Sequence, residues 1–144
     1  MKLLVVGGGG REHTIIRFLK KNPSVESIFA CPGNGGIADQ AQCFNIRATD
    51  VDMMTAFAVQ HAIDFAIVTP DDPLVLGCVD ALQAEGFPCF GPSAAAAAIE
   101  GSKVFSKNLM KKYGIPTAAY EVFTEEAAAV EYLKTAPMPT VIKA

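Results

Sequence analysis

The sequence predicts an α/β fold in which a doubly wound parallel sheet carries helices on both faces. Apolar segments of strand length alternate with segments of helical periodicity, residues 2–6 are apolar almost throughout, and glycine- or proline-rich loops follow the strands. Alternation of this kind is typical of parallel sheets, and a continuously apolar strand is buried on both faces. Because 51% of its 144 residues are hydrophobic, the chain can bury a substantial core.

The predicted elements follow one another in regular order. Strands are expected at residues 2–6, 25–31, 43–46, 65–68 and 88–90. Helices are expected at residues 11–21, from the N-cap Asp50 to His61, and at residues 74–85. If the strand order is 3-2-1-4-5, the loops at the carboxyl ends of the strands meet along one rim, where such sheets bind ligands.

The character of the chain changes after Ser93. An alanine run at residues 94–98 leads to a basic helix at residues 104–113, which Gly114 and Pro116 end. A strand near residues 118–123, a helix from the N-cap Thr124 to about Lys134 and a strand at residues 140–144 follow. We therefore predict an N-terminal α/β domain at residues 1–100, a connector helix at residues 101–117, and the start of an unfinished domain at residues 118–144.

Composition excludes several classes of function. The net charge of −3, with no long basic run, argues against nucleic acid as a partner. The four cysteines form no Cys-x-x-Cys pair and are interpreted as reduced core thiols without a metal. The apolar segment before the first glycines is too short for a signal peptide or a membrane span, which predicts a cytoplasmic protein without a membrane partner.

The glycine run at residues 7–10, followed by Arg11, predicts an anion site. It closes a buried strand and opens a helix, where unpaired N–H groups and the helix dipole attract phosphate. Neither spacing of the glycines completes a dinucleotide fingerprint, because Glu12 or His13 occupies the third glycine position. A Walker loop is excluded as well, since no Gly-Lys-Ser/Thr follows.

Other polar residues are further candidates for the site. Glu12 suits the first turn of a helix, and His13 either orients a loop or contacts a ligand. Asp71 and its neighbour Asp72 either form a turn between prolines or bind sugar hydroxyls or an amine. Lys103 begins a helix, where a lysine is unfavourable without an anion.

Several motifs in register resemble the phosphoribosylamine–glycine ligase family of the ATP-grasp superfamily. Residues 7–13 resemble that family's opening Gly-x-Gly-Gly-Arg-Glu-His, and Pro32-Gly33-Asn34 resembles the motif after its second strand. Phe90-Gly91-Pro92 and Glu100-Gly101-Ser102-Lys103 match two further motifs, and order and spacing agree to the end of the chain. The chain departs from the family pattern at Thr69-Pro70-Asp71, where the family has Gly-Pro-Glu.

The resemblance implies an ATP-dependent ligase of purine biosynthesis that joins glycine to 5-phosphoribosylamine through a glycyl phosphate. It implies a Rossmann-like domain that precedes an ATP-grasp domain, with ATP and Mg²⁺ as cofactors and the metal ligands outside this chain. Lys103 and Lys143 would contact ATP, although snorkelling of Lys143 from an edge strand is the common explanation for a lysine in such an apolar run. The substrate-binding residues implied are Gly9, Gly10, Arg11, Glu12, His13, Gly33, Asn34, Pro70 and Asp71.

No catalytic residue is assigned, and the chain resembles an N-terminal fragment that is inactive alone. The alternative is a self-sufficient module that binds a sugar phosphate or nucleotide without catalysis. The sequence does not specify the oligomeric state, and an apolar last strand left unpaired favours association with another chain.

Overall fold

The computed structural model describes residues 1–143. The chain divides into two compact units, Met1–Lys103 and Val104–Ala144. The first contains a five-stranded parallel sheet in the order β3-β2-β1-β4-β5, which confirms the predicted fold class and meets the condition on strand order under which the loops share one rim. The strands are β1 Lys2–Gly7, β2 Ser27–Pro32, β3 Gln42–Cys43, β4 Phe65–Val68 and β5 Cys89–Phe90.

In the first unit, helices connect the strands and cover both faces of the sheet. They are α1 Gly10–Leu19, α2 Gly35–Ala38, α3 Val51–His61, α4 Asp71–Val75, α5 Cys78–Ala84 and α6 Ala94–Gly101. Two further helices follow along the chain, α7 Lys103–Lys112 and α8 Glu126–Leu133. The predicted cap of α3 is confirmed, because the Asp50 carboxylate accepts the Met53 N–H at 3.2 Å.

Two differences from the predicted helices change the surroundings of the loops. The short helix α2 was not predicted, and the Asn34 side chain caps it by accepting the Ile37 N–H at 2.9 Å. The single helix expected at residues 74–85 is two helices, because Gly77, with a φ of 83°, interrupts it. Helix α4 begins three residues earlier than predicted, so Asp71 and Asp72 lie in its first turn and not in a loop.

The core lies on both faces of the sheet, as the alternation of side chains in β1 shows. Leu3 and Val5 belong to one apolar cluster, and Leu4 and Val6 belong to the other. The first cluster contains buried residues of α1 and α2, and the second contains buried residues of α3 and α5. This arrangement makes β1 and its carboxyl end the centre of the first unit.

The cysteines differ in their exposure. Burial, with a smaller effect of the neighbouring Cys43, raises the pKa of Cys31 to about 12. Burial, with a smaller effect of Cys89, raises the pKa of Cys78 to about 11. The prediction that all four are core thiols is wrong for Cys43, which is exposed because it lies in the short edge strand β3.

These environments predict unequal reactivity toward N-ethylmaleimide near pH 8. Cys43 is expected to react within minutes in the folded chain, whereas Cys31 and Cys78 stay protonated and covered until the chain unfolds. Mass spectrometry of peptides after timed labelling measures this order, and Cys43→Ser removes the fast reaction. Equal rates for Cys31 and Cys43 in the folded chain would contradict it.

The second unit contains α8 and nearly all of α7. Within it, Lys107 Nζ donates to Thr117 Oγ1 at 2.6 Å and to the Ala118 carbonyl at 3.1 Å. The Phe123 and Tyr132 rings lie 5.2 Å apart. These contacts hold the segment after α7 close to that helix and Phe123 close to α8.

Three predictions for this unit are wrong. Residues 118–123 and 140–143 form no strand, because no segment of the unit pairs with either of them among the residues described. Ala144, the end of the last predicted strand, lies outside the described residues. The N-cap of α8 is Glu125 and not Thr124, and its side chain makes no capping bond. The division into residues 1–100, 101–117 and 118–144 stays a prediction.

Within residues 1–143, no helix is long and apolar enough to cross a membrane.

Candidate functional site

The glycine turn, residues 7–10, leaves the carboxyl end of β1 and is bonded to the loop after β2. The Gly33 N–H donates to the Gly7 carbonyl at 3.1 Å, and Asn34 Nδ2 donates to the Gly8 carbonyl at 2.8 Å. A Cβ added to Gly8 would collide with the Gly33 carbonyl oxygen and lie 3.0 Å from its carbon. Glycine at position 8 therefore allows the two loops to touch, and Asn34 holds the glycine turn while capping α2.

Glu12 connects the glycine turn to the end of β4. Its side chain is only 2% exposed, and it is the one buried charged residue in the described part of the chain. Oε2 accepts the Gly9 N–H at 2.6 Å, and Oε1 accepts the hydroxyl of Thr69, the residue directly after β4. Both carboxylate oxygens thus have partners within the protein. We call the chain of contacts from Thr69 through Glu12 to Gly9 the Thr69–Glu12 bridge.

The first turn of α1 presents three N–H groups without protein partners. Within residues 1–143, the N–H groups of Gly10, Arg11 and Glu12 donate to no backbone or side-chain acceptor. The Arg11 side chain is exposed and forms no ion pair with any described residue. Backbone donors at the positive end of a helix, next to a guanidinium, form a site suited to phosphate.

His13 lies against helix α2 and Gln40, which follows that helix. Its Nε2 atom is 3.1 Å from Gln40 Nε2, a hydrogen bond when that ring nitrogen is unprotonated. A Cβ added to Gly36 would lie 2.9 Å from His13 Cε1. These contacts favour the loop-orienting interpretation of His13, and ligand contact by this residue stays a prediction.

A groove of about 670 Å³ opens beyond the carboxyl ends of β4 and β5. Arg11 lines one part of it, and the remaining wall is largely apolar with Glu100 as its acidic member. The lining residues are Arg11, Val68, Thr69, Leu74, Cys89, Phe90, Gly91, Pro92 and Glu100. The groove therefore begins beside the unpaired donors of α1.

The structure brings most of the predicted site residues to one edge of the first unit. Pro70 occupies the N-cap position of α4, and Asp71 is exposed in the first turn. Lys103 is exposed at the start of α7, and Lys143 is exposed in the second unit. Those that follow β1, β2 and β4 at this edge are Gly9, Gly10, Arg11, Glu12, His13, Gly33, Asn34, Pro70 and Asp71.

Two residues of the site were not predicted from the sequence, Thr69 and Gln40. Thr69 follows β4 directly, so its place in the motif after that strand was the available signal. No sequence pattern pointed to Gln40, because only the path of the loop after α2 brings it to His13. Within residues 1–143, no group of three or more His, Cys, Asp or Glu side chains is arranged to hold a metal ion.

Comparison with protein-family models resolves the family. Residues 1–100 match the N domain of phosphoribosylglycinamide synthetase, and residues 101–144 match the ATP-grasp (A) domain of the same protein. The chain belongs to the phosphoribosylglycinamide synthetase family. The resemblance found in the sequence motifs is thereby confirmed.

Curated relatives carry the name phosphoribosylamine–glycine ligase. The relatives from Caldanaerobacter subterraneus and Allochromatium vinosum are each 48% identical to this chain, which is covered completely. The chain spans only 34% of the length of each. Phosphoribosylglycinamide synthetases are ATP-grasp ligases, so the chain comes from an enzyme family.

Solved structures agree with the fold. The crystal structure of phosphoribosylamine–glycine ligase from Thermotoga maritima has a TM-score of 0.68 and 26% identity, and the match covers 96% of this chain and 32% of that one. The biotin carboxylase domain of a single-chain bacterial carboxylase has a TM-score of 0.67 at 18% identity, with 92% of this chain and 34% of that one covered. The second likeness shows the fold alone.

Proposed function

We propose that this chain supplies the sugar-phosphate-binding part of a cytoplasmic ligase that joins glycine to 5-phosphoribosylamine in purine biosynthesis. The reaction consumes ATP and releases ADP and phosphate. The observation that carries the proposal is the set of three N–H groups at the start of α1 that have no partner in the described part of the chain, next to the exposed Arg11. The family supports the identity of the substrates.

The geometry supports a division of roles between the chain's own residues. The N–H groups of Gly10, Arg11 and Glu12 would bind the ribosyl phosphate, and the Arg11 guanidinium would bind a second phosphate oxygen. The adjoining groove would receive the sugar, and Asp71, in the first turn of α4 after β4, would contact its hydroxyl groups. These residues bind and orient the acceptor amine, and orientation of the reacting groups is a large part of catalysis in ligases.

Lys103 and Lys143 would contact the phosphates of ATP, as the family resemblance implies. ATP supplies the phosphoryl group that activates the glycine carboxylate, and Mg²⁺ offsets the charge of the phosphates. The described residues hold no group of three or more His, Cys, Asp or Glu side chains that could bind Mg²⁺. Ligands for Mg²⁺ are proposed to come from other parts of the enzyme.

Titration of the ¹⁵N-labelled chain with ribose 5-phosphate tests the proposed site. We expect the amide signals of Gly10, Arg11 and Glu12 to shift at millimolar ligand, because their N–H groups would gain an acceptor. Ribose without phosphate is the control and should leave these signals in place. If the signals respond equally to both sugars, or to neither, the phosphate site is not at this turn.

Arg11→Ala is expected to weaken the binding of ribose 5-phosphate about tenfold, the loss of one charge-assisted interaction. The matched control is Arg17→Ala, since Arg17 is exposed in the last turn of the same helix. Isothermal titration calorimetry of both variants measures the difference. Equal affinities of the two variants would remove Arg11 from the proposed site.

A further inference from the structure

Thr69 lies beside the groove and contacts the phosphate-binding turn through Glu12, but it is not one of the proposed phosphate donors. It is half-buried, it follows β4, and its hydroxyl donates to Glu12 Oε1. The second oxygen of the same carboxylate accepts the Gly9 N–H at 2.6 Å. A residue at the end of one strand thus contacts the turn at the end of the neighbouring strand through a single buried carboxylate.

This contact determines which N–H groups of the glycine turn are available. The Gly9 N–H is taken by Glu12, whereas the next three N–H groups along the chain have no partner among the described residues. A carboxylate can rotate about its last torsion angle unless both oxygens are held, and Thr69 holds the second oxygen of Glu12. Loss of the Thr69 hydroxyl would therefore free Glu12 and, with it, the orientation of Gly9.

We propose that Thr69 is a positioning residue for the phosphate site: through Glu12, it orients the glycine turn so that the N–H groups of Gly10, Arg11 and Glu12 face the ligand. This inference rests on the proposed function, because it assumes that the turn binds a phosphate. Thr69 also lines the groove beside Arg11, so it joins the phosphate end of the site to the sugar end.

The test compares Thr69→Val, which removes the hydroxyl at nearly constant shape, with Thr69→Ser, which keeps it. Thr55→Val is the matched control, because Thr55 is also half-buried but its hydroxyl donates to the Val51 carbonyl within α3. The measurements are the Gly9 amide proton shift without ligand and the affinity for ribose 5-phosphate, both on chains shown to be folded by near-ultraviolet circular dichroism. If Thr69→Val does not fold, Thr69→Ala replaces it.

We expect Thr69→Val to move the Gly9 amide signal upfield and to weaken ribose 5-phosphate binding about fivefold, the size of one lost hydrogen bond. Thr69→Ser should restore both, and Thr55→Val should change neither. A Gly9 signal that does not move in Thr69→Val, an unchanged affinity, or a failure of serine to restore both overturns the positioning role alone. Absence of ribose 5-phosphate binding by the unsubstituted chain overturns the proposed site as well, so the two failures are distinguishable.

Discussion

Gly8→Ala is expected to lower the free energy of unfolding by about 3 kcal/mol, at the upper end of what overpacking costs. The added methyl group would collide with the Gly33 carbonyl oxygen, which is backbone and cannot rotate away. Relief requires the loops after β1 and β2 to separate, and that breaks the hydrogen bonds from Gly33 to Gly7 and from Asn34 to Gly8. Urea denaturation followed by circular dichroism measures the change.

Gly10→Ala is the matched control in the same turn. A Cβ at Gly10 would have no heavy atom within 4 Å, and Gly10 is the first residue of α1, where alanine is the better helix former. The free energy of unfolding of the Gly10→Ala variant should equal that of the unsubstituted chain or exceed it by less than about 1 kcal/mol. Similar destabilisation by the two variants would mean that the turn rejects any side chain, and the specific contact of Gly8 with Gly33 would lose its support.

Glu12→Ala is expected to cost about 3 kcal/mol of unfolding free energy, because hydrogen bonds to a buried charged acceptor are lost and their donors are left unpaired. The donors are the Gly9 N–H and the Thr69 hydroxyl. Glu12→Gln keeps the shape and one oxygen acceptor, so it should fall between Glu12→Ala and the unsubstituted chain. Thermal and urea unfolding of the three proteins at one pH measure this order.

Asp52→Ala controls for the helix dipole. Asp52, like Glu12, is an acid in the first turn of a helix, but it is exposed on α3. Its removal should cost less than about 1 kcal/mol, since only a surface interaction with the dipole is lost. If Glu12→Ala costs no more than Asp52→Ala, the Thr69–Glu12 bridge does not stabilise the fold.

Much of the fold could be predicted because it depends on local patterns. The apolar run in β1 indicated burial on both faces, and alternation with helices indicated parallel strands, whereas their order was an assumption that the structure bears out. The predicted helix boundaries were less accurate where the φ angle of a single residue ends a helix. The positive φ of Gly77 divides the helix predicted at residues 74–85, and a glycine within a helical pattern does not reveal its φ.

The second unit shows where local patterns fail. Residues 118–123 have strand-like composition, yet a strand exists only when another segment pairs with it, and pairing is not written in the segment itself. Thr124 is a good capping residue by type, but α8 begins one residue later than that cap requires. Both predictions rested on residue type alone.

The candidate site divides in the same way. The glycine run and Arg11 could be predicted to form an anion site from their place at a strand-to-helix junction. The Pro32-Gly33-Asn34 loop could be predicted to lie at the same edge, because the ends of parallel strands share one edge. The role of Glu12 could not be read in this way. Its partner Thr69 is 57 residues away in sequence, and either residue alone suits a simpler explanation, an acid in a first turn and a polar residue after a strand.

Local patterns and spacing in the sequence were enough to predict the class of fold, the family and, for an assumed strand order, the edge of the sheet at which a ligand would bind. These follow from periodicity, from glycine at a strand-to-helix junction and from motifs in register, all of which are local or depend only on spacing. Which groups at that edge are already paired depends on contacts between residues that are distant in sequence. The Glu12 carboxylate, buried between Gly9 and Thr69, accepts one N–H of the glycine turn, and the next three N–H groups have no partner within residues 1–143. This pairing requires two neighbouring strand ends to meet in space.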